Sequence, residues 1–193
     1  MGVIAIFSGS FDPIHTGHAM IANYVSQWEG VDEVWLLVSP RNPLKKDETE
    51  ATEEERLTMA GMVAEHCRNV KASDFEFGLP SPTYTYRTLC SLRERYPEHE
   101  FRLVIGSDNW MIFDQWRDSD RIISEFGILI YPRPGYVVKG ELPTGVTLMG
   151  NAPQALISST FIRESLKEGK NLNYFLPLGV YEYIKERGLY ELK

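Results

Sequence analysis

The chain has little positive charge, little cysteine and no long apolar run, and each shortage removes a class of function. It carries 20 Lys and Arg against 27 Asp and Glu, a net charge of −7, whereas general nucleic-acid binders spread basic residues over a face to neutralise many phosphates. A nucleic-acid partner is therefore not expected. A small anionic ligand stays open, because it needs only a local positive site. The two cysteines, Cys67 and Cys90, form no CxxC pair and no Cys/His cluster, which excludes a zinc framework and fits packed thiols in a reducing compartment. Val3 to Phe7 is too short to span a membrane, no basic start marks a signal peptide, and Ile6 stands where a myristoylation signal needs Ser or Thr. A cytoplasmic protein with no membrane partner is expected. No GxGxxG follows the first apolar run, which leaves a dehydrogenase without support.

What is present suffices for one good core. With 193 residues and 43% hydrophobic content, and with no repeat or linker, residues 1–193 read as a single domain. The one charge-rich stretch, Lys45 to Arg56, mixes signs and reads as a mobile loop followed by a solvated helix face. Strand-like runs at Val3 to Phe7, Val34 to Val38, Phe101 to Ile105 and Ile128 to Tyr131, with a short one near Val146 to Met149, alternate with helical patterns. The helices are expected near Thr16 to Trp28, Thr52 to His66, Tyr84 to Arg95, Ser119 to Glu125, Ser159 to Glu168 and Pro177 to Arg187. That alternation predicts an α/β fold, a doubly wound parallel sheet with crossover helices. Ligands of such sheets bind beyond the carboxyl ends of the strands, where strand order reverses.

Directly after Val3 to Phe7 come Gly9-Ser10-Phe11-Asp12-Pro13-Ile14-His15-Thr16-Gly17-His18. A buried strand thus feeds small residues whose amides can approach an anion, and then a helix whose N-terminal dipole faces the same anion. Two of the chain's four histidines lie three residues apart on that first turn. Gly-Ser and Asp-Pro alone are ordinary turn chemistry; two histidines flanking a glycine at a strand-to-helix junction are not. Phe11 reads as core, and Asp12 as either orienting the turn or touching substrate. His66 and His99 lie outside every motif and read as solvated helix residues. Gly106 ends a strand and can admit a nucleoside to the backbone, with Asp108 accepting from ribose hydroxyls or capping a helix. Ser158-Ser159-Thr160 starts a helix, and its hydroxyls and amides can cap it or hold a phosphate, with Arg163 one turn in and pointing back.

The decapeptide resembles the HxGH signature of the nucleotidyltransferase superfamily, and Gly-Ser-Phe-Asp-Pro-x-His-x-Gly-His in particular resembles the bacterial nicotinate-nucleotide adenylyltransferase branch. Three later segments fit in order: Ser81-Pro82-Thr83-Tyr84-Thr85 with Thr88 and Leu89; Gly106-Ser107-Asp108 with Phe113 and Trp116; and Ile157-Ser158-Ser159-Thr160-Phe161-Ile162-Arg163. The resemblance spans nearly the whole chain and implies a Rossmann-like nucleotidyltransferase fold joining ATP and nicotinate mononucleotide into a dinucleotide, with release of pyrophosphate. It implies that His15 and His18 meet ATP phosphates, His18 the α-phosphate, and that Ser158, Ser159, Thr160 and Arg163 hold the β- and γ-phosphates. His15, His18 and Arg163 are the catalytic candidates. Gly9, Ser10 and Gly17 give close backbone approach, Gly106 and Asp108 meet the nucleoside, and Arg133, inside Pro132-Arg133-Pro134-Gly135, resembles the family's Arg-Pro-Gly segment near the adenosine.

On the acceptor side, Trp116 would stack on the pyridine ring, although spacing alone reads it as core, and Thr85 with its neighbouring amides would meet the carboxylate. Arg41, Asn42, Lys45 and Lys46 sit in a Pro-x-x-Pro-x-Lys loop that would close over phosphates. Gly-Ser-Asp replaces the family's more frequent Gly-Ala-Asp, without consequence for the backbone contact. ATP would arrive with Mg²⁺, and no acidic cluster suggests a protein cage for it. A homo-oligomer is compatible with the sequence. The competing readings are a nicotinamide-mononucleotide, pantetheine-phosphate or cytidylyl enzyme, or a non-catalytic nucleotide sensor of the same fold. Pantetheine-phosphate enzymes usually carry Thr-x-Gly-His where His15 to His18 stand, and the cytidylyl Arg-Thr-Glu-Gly-Ile-Ser-Thr-Ser segment is absent.

Overall fold

The computed structural model describes residues 1–40 and 51–190. The apolar runs form strands β1 (Gly2–Gly9), β2 (Glu33–Val38), β4 (His99–Gly106), β5 (Ile128–Tyr131) and β6 (Val146–Leu148). A further strand, β3 (Val70–Ser73), was not expected. All pair in parallel, in the order β3-β2-β1-β4-β5-β6. The chain therefore builds outward from β1 on one side, returns, and builds outward from β4 on the other. The reversal between β1 and β4 opens a crevice beyond their carboxyl ends.

Both faces of the sheet are covered, which is why its strands read as continuous apolar runs rather than alternating ones. Along β1 the side chains still alternate: Ala5 and Phe7 face one core, Ile4 and Ile6 the other. On the first face lie α1 (Thr16–Trp28), α2 (Glu53–His66) and α7 (Val180–Arg187), which contribute Ile21, Val25, Met59, Val63 and Ile184. On the second lie α3 (Thr85–Arg95) and α5 (Ser119–Glu125), contributing Leu89, Leu92 and Ile122. Leu89 and Leu92 are fully buried, so truncating either to Ala would cost about 2–5 kcal/mol. A short helix, α4 (Ser107–Trp110), continues directly from β4, and α6 (Ser159–Lys167) follows a long irregular stretch.

Three expectations need correction. The start of α2 is not a solvated face: Glu55 is buried and Arg56 fully so. The reason is visible in the helical spacing, since Arg56, Met59, Ala60 and Val63 form one buried stripe. His99 is not on a helix but opens β4, its ring edge-on to Trp35 and Phe101 at 6.5 and 6.4 Å. Helix α7 begins at Val180, not at Pro177, because Gly179 takes a left-handed backbone with φ of 83°. Among the described residues no helix is long and apolar enough to cross a membrane.

Candidate active site

Strand β1 delivers its last residue, Gly9, into the crevice, and the chain turns at once. A Cβ at Gly9 would lie 3.1 Å from the Phe11 ring, so a side chain there would press on the ring that fills the turn. Phe11 is buried as core, at φ of 49°, its ring 5.1 Å from His18 and 5.7 Å from Phe7. His15 then caps α1. Its backbone N–H donates to Nδ1 of His18 at 3.3 Å. A neutral His18 accepting at Nδ1 carries its proton on Nε2, which makes that nitrogen a donor.

The two imidazoles stack, with centroids 3.7 Å apart and planes 24° off parallel. Gly17 leaves them room, because a Cβ there would stand 3.0 Å from Nδ1 of His15 and press on the ring. His15 is 3% exposed. Burial first, and the Arg133 guanidinium second, lower its pKa to about 4. Burial, then His15, then Arg133 hold His18 well below the usual histidine range. Near pH 7 both rings are neutral. The histidines, Tyr131 and Arg133 line one cavity with Gln154 and Ile157.

Helix α6 docks its N-terminus onto this turn. Ser158 is a helix cap, its Oγ accepting from Phe161 N–H at 3.1 Å. The Ser159 hydroxyl donates to the Pro13 carbonyl at 2.9 Å. Arg163 Nη1 donates to the Asp12 carbonyl at 2.7 Å, and its Nη2 reaches Thr160 Oγ1 at 3.5 Å. Two motifs about 150 positions apart in sequence thus share hydrogen bonds. Asp12 is 1% exposed, and its Oδ1 accepts from the Tyr190 hydroxyl at 2.5 Å and from Ala51 N–H at 3.3 Å. Of its two readings, the one that orients the turn holds.

At the end of β4, Gly106 is closely packed: a Cβ there would press on the Asp108 carboxylate and lie 3.0 Å from Arg133 Nε and 3.1 Å from Tyr131 Cζ, so those side chains would have to move. The fully buried Ser107 accepts the Arg133 N–H at its Oγ, at 2.8 Å. Arg133 Nη2 donates to the Tyr131 hydroxyl at 2.9 Å. Asp108 Oδ1 faces Arg133 Nε at 3.3 Å, yet it is buried and lacks a hydrogen bond among the described residues.

Of the residues expected to meet the acceptor, Thr85 is the first residue of α3 and is half-buried. Trp116 is half-buried against Phe113, with ring centroids 5.2 Å apart. Its neighbour Arg117 sits over the Tyr84 ring at 4.9 Å, bringing the start of α3 and the Phe113–Trp116 segment alongside each other. Lys45 and Lys46, with Arg41 and Asn42, lie outside the described residues. Ser10 is exposed, and its carbonyl accepts from Arg56 Nη1 at 2.7 Å.

Sequence reading missed Arg56 and Tyr190. The same Arg56 nitrogen also donates to the Ser39 carbonyl at 2.7 Å, so one buried guanidinium joins the turns that follow β1 and β2. The α2 stripe could have found it. Nothing local could have paired Tyr190 with Asp12. Also unforeseen was buried Glu76, which accepts from Thr88 at 2.8 Å; burial raises its pKa, while hydrogen bonds from Thr88 and Ser39 oppose the rise.

A switch-point crevice holding a neutral histidine pair, a serine-capped helix start and an arginine is the layout of a nucleotidyltransferase, and the model of the family described as Cytidylyltransferase-like matches residues 6–165. A protein of Bacteroides fragilis is 52% identical over 93% of this chain and 89% of its own length; one of Flavobacterium johnsoniae is 41% identical over 97% and 98%. Both carry the name "Probable nicotinate-nucleotide adenylyltransferase". Among solved structures, the Plasmodium falciparum nicotinic acid mononucleotide adenylyltransferase complexed with NaAD superposes with a TM-score of 0.77 at 20% identity, covering 98% of both chains, a likeness of fold. The chain belongs to the Cytidylyltransferase-like family and, within it, to the nicotinate-nucleotide adenylyltransferases.

Proposed function

We propose that the chain transfers the adenylyl group of ATP to nicotinate mononucleotide, giving nicotinate adenine dinucleotide and pyrophosphate, in NAD biosynthesis. An oxygen of the mononucleotide phosphate, already anionic near neutral pH, attacks the α-phosphorus of ATP. The bond from that phosphorus to the oxygen bridging the β-phosphate breaks, and pyrophosphate leaves with the electron pair. No strong base is needed; the obstacle is repulsion between anions, and fixed donors aimed at the developing charge supply most of the catalysis.

The observation that carries this reading is the joining of the Gly9–His18 turn to α6 by Ser159 and Arg163, beside two neutral histidines. His18 would donate from Nε2 to an α-phosphate oxygen, with His15 beside it. Arg163, Thr160 and the amides capped by Ser158 would receive the β- and γ-phosphates. Gly9, Ser10 and Gly17 would allow the phosphate chain close to backbone. Gly106, Asp108 and Arg133 would hold the adenosine, the Asp108 carboxylate accepting a ribose hydroxyl. Trp116 and Thr85 would take the nicotinate ring and carboxylate, and Lys45 and Lys46 the acceptor phosphate.

Mg²⁺ would arrive on the ATP phosphates, where it neutralises part of their charge. We place the protein in the cytoplasm, as its unbridged Cys67 and Cys90 support. The test is pyrophosphate release with ATP, Mg²⁺ and, separately, nicotinate mononucleotide, nicotinamide mononucleotide or phosphopantetheine. Release is expected with the nicotinate compound; no release with either pyridine mononucleotide would overturn the reading.

A further inference from the structure

We infer that Tyr190, near the far end of the chain, is a positioning residue for the phosphate turn, an assignment that rests on the adenylyl-transfer reading above. The residue is 2% exposed, and its hydroxyl donates to Asp12 Oδ1 at 2.5 Å across 178 positions of sequence. Burial, then the Asp12 carboxylate, raises the phenol's pKa, so that it remains the donor. Tyr190 also holds φ of 62°, a left-handed conformation that disfavours a side chain and persists where the surroundings impose it.

Asp12 is the node of the turn. Its carboxylate takes the Tyr190 hydroxyl and the Ala51 N–H, while its carbonyl takes Arg163. Three residues later His15 begins α1 and orients His18. Placement of the carboxylate therefore sets both the arginine and the histidines that would meet the phosphates. Without the hydroxyl, a buried carboxylate oxygen loses a donor and the turn shifts to recover one. Tyr190 touches no substrate; it acts through Asp12.

The experiment compares Tyr190→Phe with Ile184→Val, a truncation in the buried face of α7 that leaves the Asp12 bond alone. Both should melt at somewhat lower temperature. Tyr190→Phe should lower kcat about tenfold or more, since small misplacements of catalytic groups are costly, while Ile184→Val keeps kcat within about twofold. The His18 ¹⁵N ring signals of the substrate-free protein should move in Tyr190→Phe and stay in Ile184→Val. Unmoved signals in Tyr190→Phe, a kcat within about twofold of wild type, or an equal loss in Ile184→Val would each overturn the assignment. If the wild type itself transfers no adenylyl group, the functional reading fails, and the ring signals still decide the role of Tyr190.

Discussion

The region proposed for the phosphates and the region proposed for the acceptor are held by different forces. On the phosphate side, hydrogen bonds from Ser159, Arg163, Tyr190 and Arg56 converge on the backbone and side chains of residues 10–13. Three of those donors reach main-chain carbonyls and the fourth, Tyr190, a buried carboxylate, acceptors that would otherwise be costly to leave unpaired. In the region proposed for the acceptor, Trp116 rests on Phe113 and Arg117 on Tyr84, while neighbouring Met111 and Ile112 are 55% and 47% exposed. Ring contacts there tolerate shifts that a directional bond does not. A chain that must hold three phosphates in register for an in-line displacement gains from rigid donors. A flat ring needs only a face.

The predictions follow from this contrast, and the first strikes the rigid half. His18→Ala should lower kcat by about 100-fold or more, the size of losing one oxyanion donor, with the circular dichroism spectrum unchanged; retained turnover would put the α-phosphate contact elsewhere. Arg163→Ala should lower kcat/KM for ATP about 10- to 100-fold, as expected for a charged hydrogen-bond donor, and leave the acceptor KM nearly unchanged in steady-state kinetics.

Acid should loosen the same half. An unfolded histidine binds a proton below its ordinary value of 6.5, whereas folded His15 does so only near 4. Acid therefore favours the unfolded chain, and the stability contributed by this ring is complete above pH 6.5 and lost as pH falls toward 4. Urea melts at about pH 7.5 and about pH 5 should differ by about 2 kcal/mol on this account, and His15→Gln should flatten the difference. The smallest effect belongs to the adaptable half. Trp116→Leu should raise the mononucleotide KM about 3- to 10-fold, the worth of one aromatic stack, with kcat nearly constant. A collapse of kcat would show that this half is as rigid as the other.

Much of this was legible because it is local. β1, the Gly9–His18 turn and α1 follow one another without interruption, so apolar run, turn residues and helix start could be read in a line. The start of α6 was legible too, from Ser158 and the spacing to Arg163. β3 was not: in Val70–Ser73 only Val70 is buried, so neither a run nor an alternation marks it. Arg56 hid because charge normally signals solvent, although it stands first in a stripe with Met59, Ala60 and Val63. The bond from Tyr190 to Asp12 left no trace, since its partners meet only once the sheet and α7 have formed. Lys45 and Lys46, legible by motif, lie outside the described residues.

The most direct measurement is the ¹⁵N spectrum of the histidine side chains in the substrate-free protein, titrated from about pH 8 downward. The account predicts that His18 is neutral near pH 7 with its proton on Nε2, and that neither it nor His15 gains a second proton until well below pH 6.5. An imidazolium at pH 7, or a His18 proton on Nδ1, would contradict it.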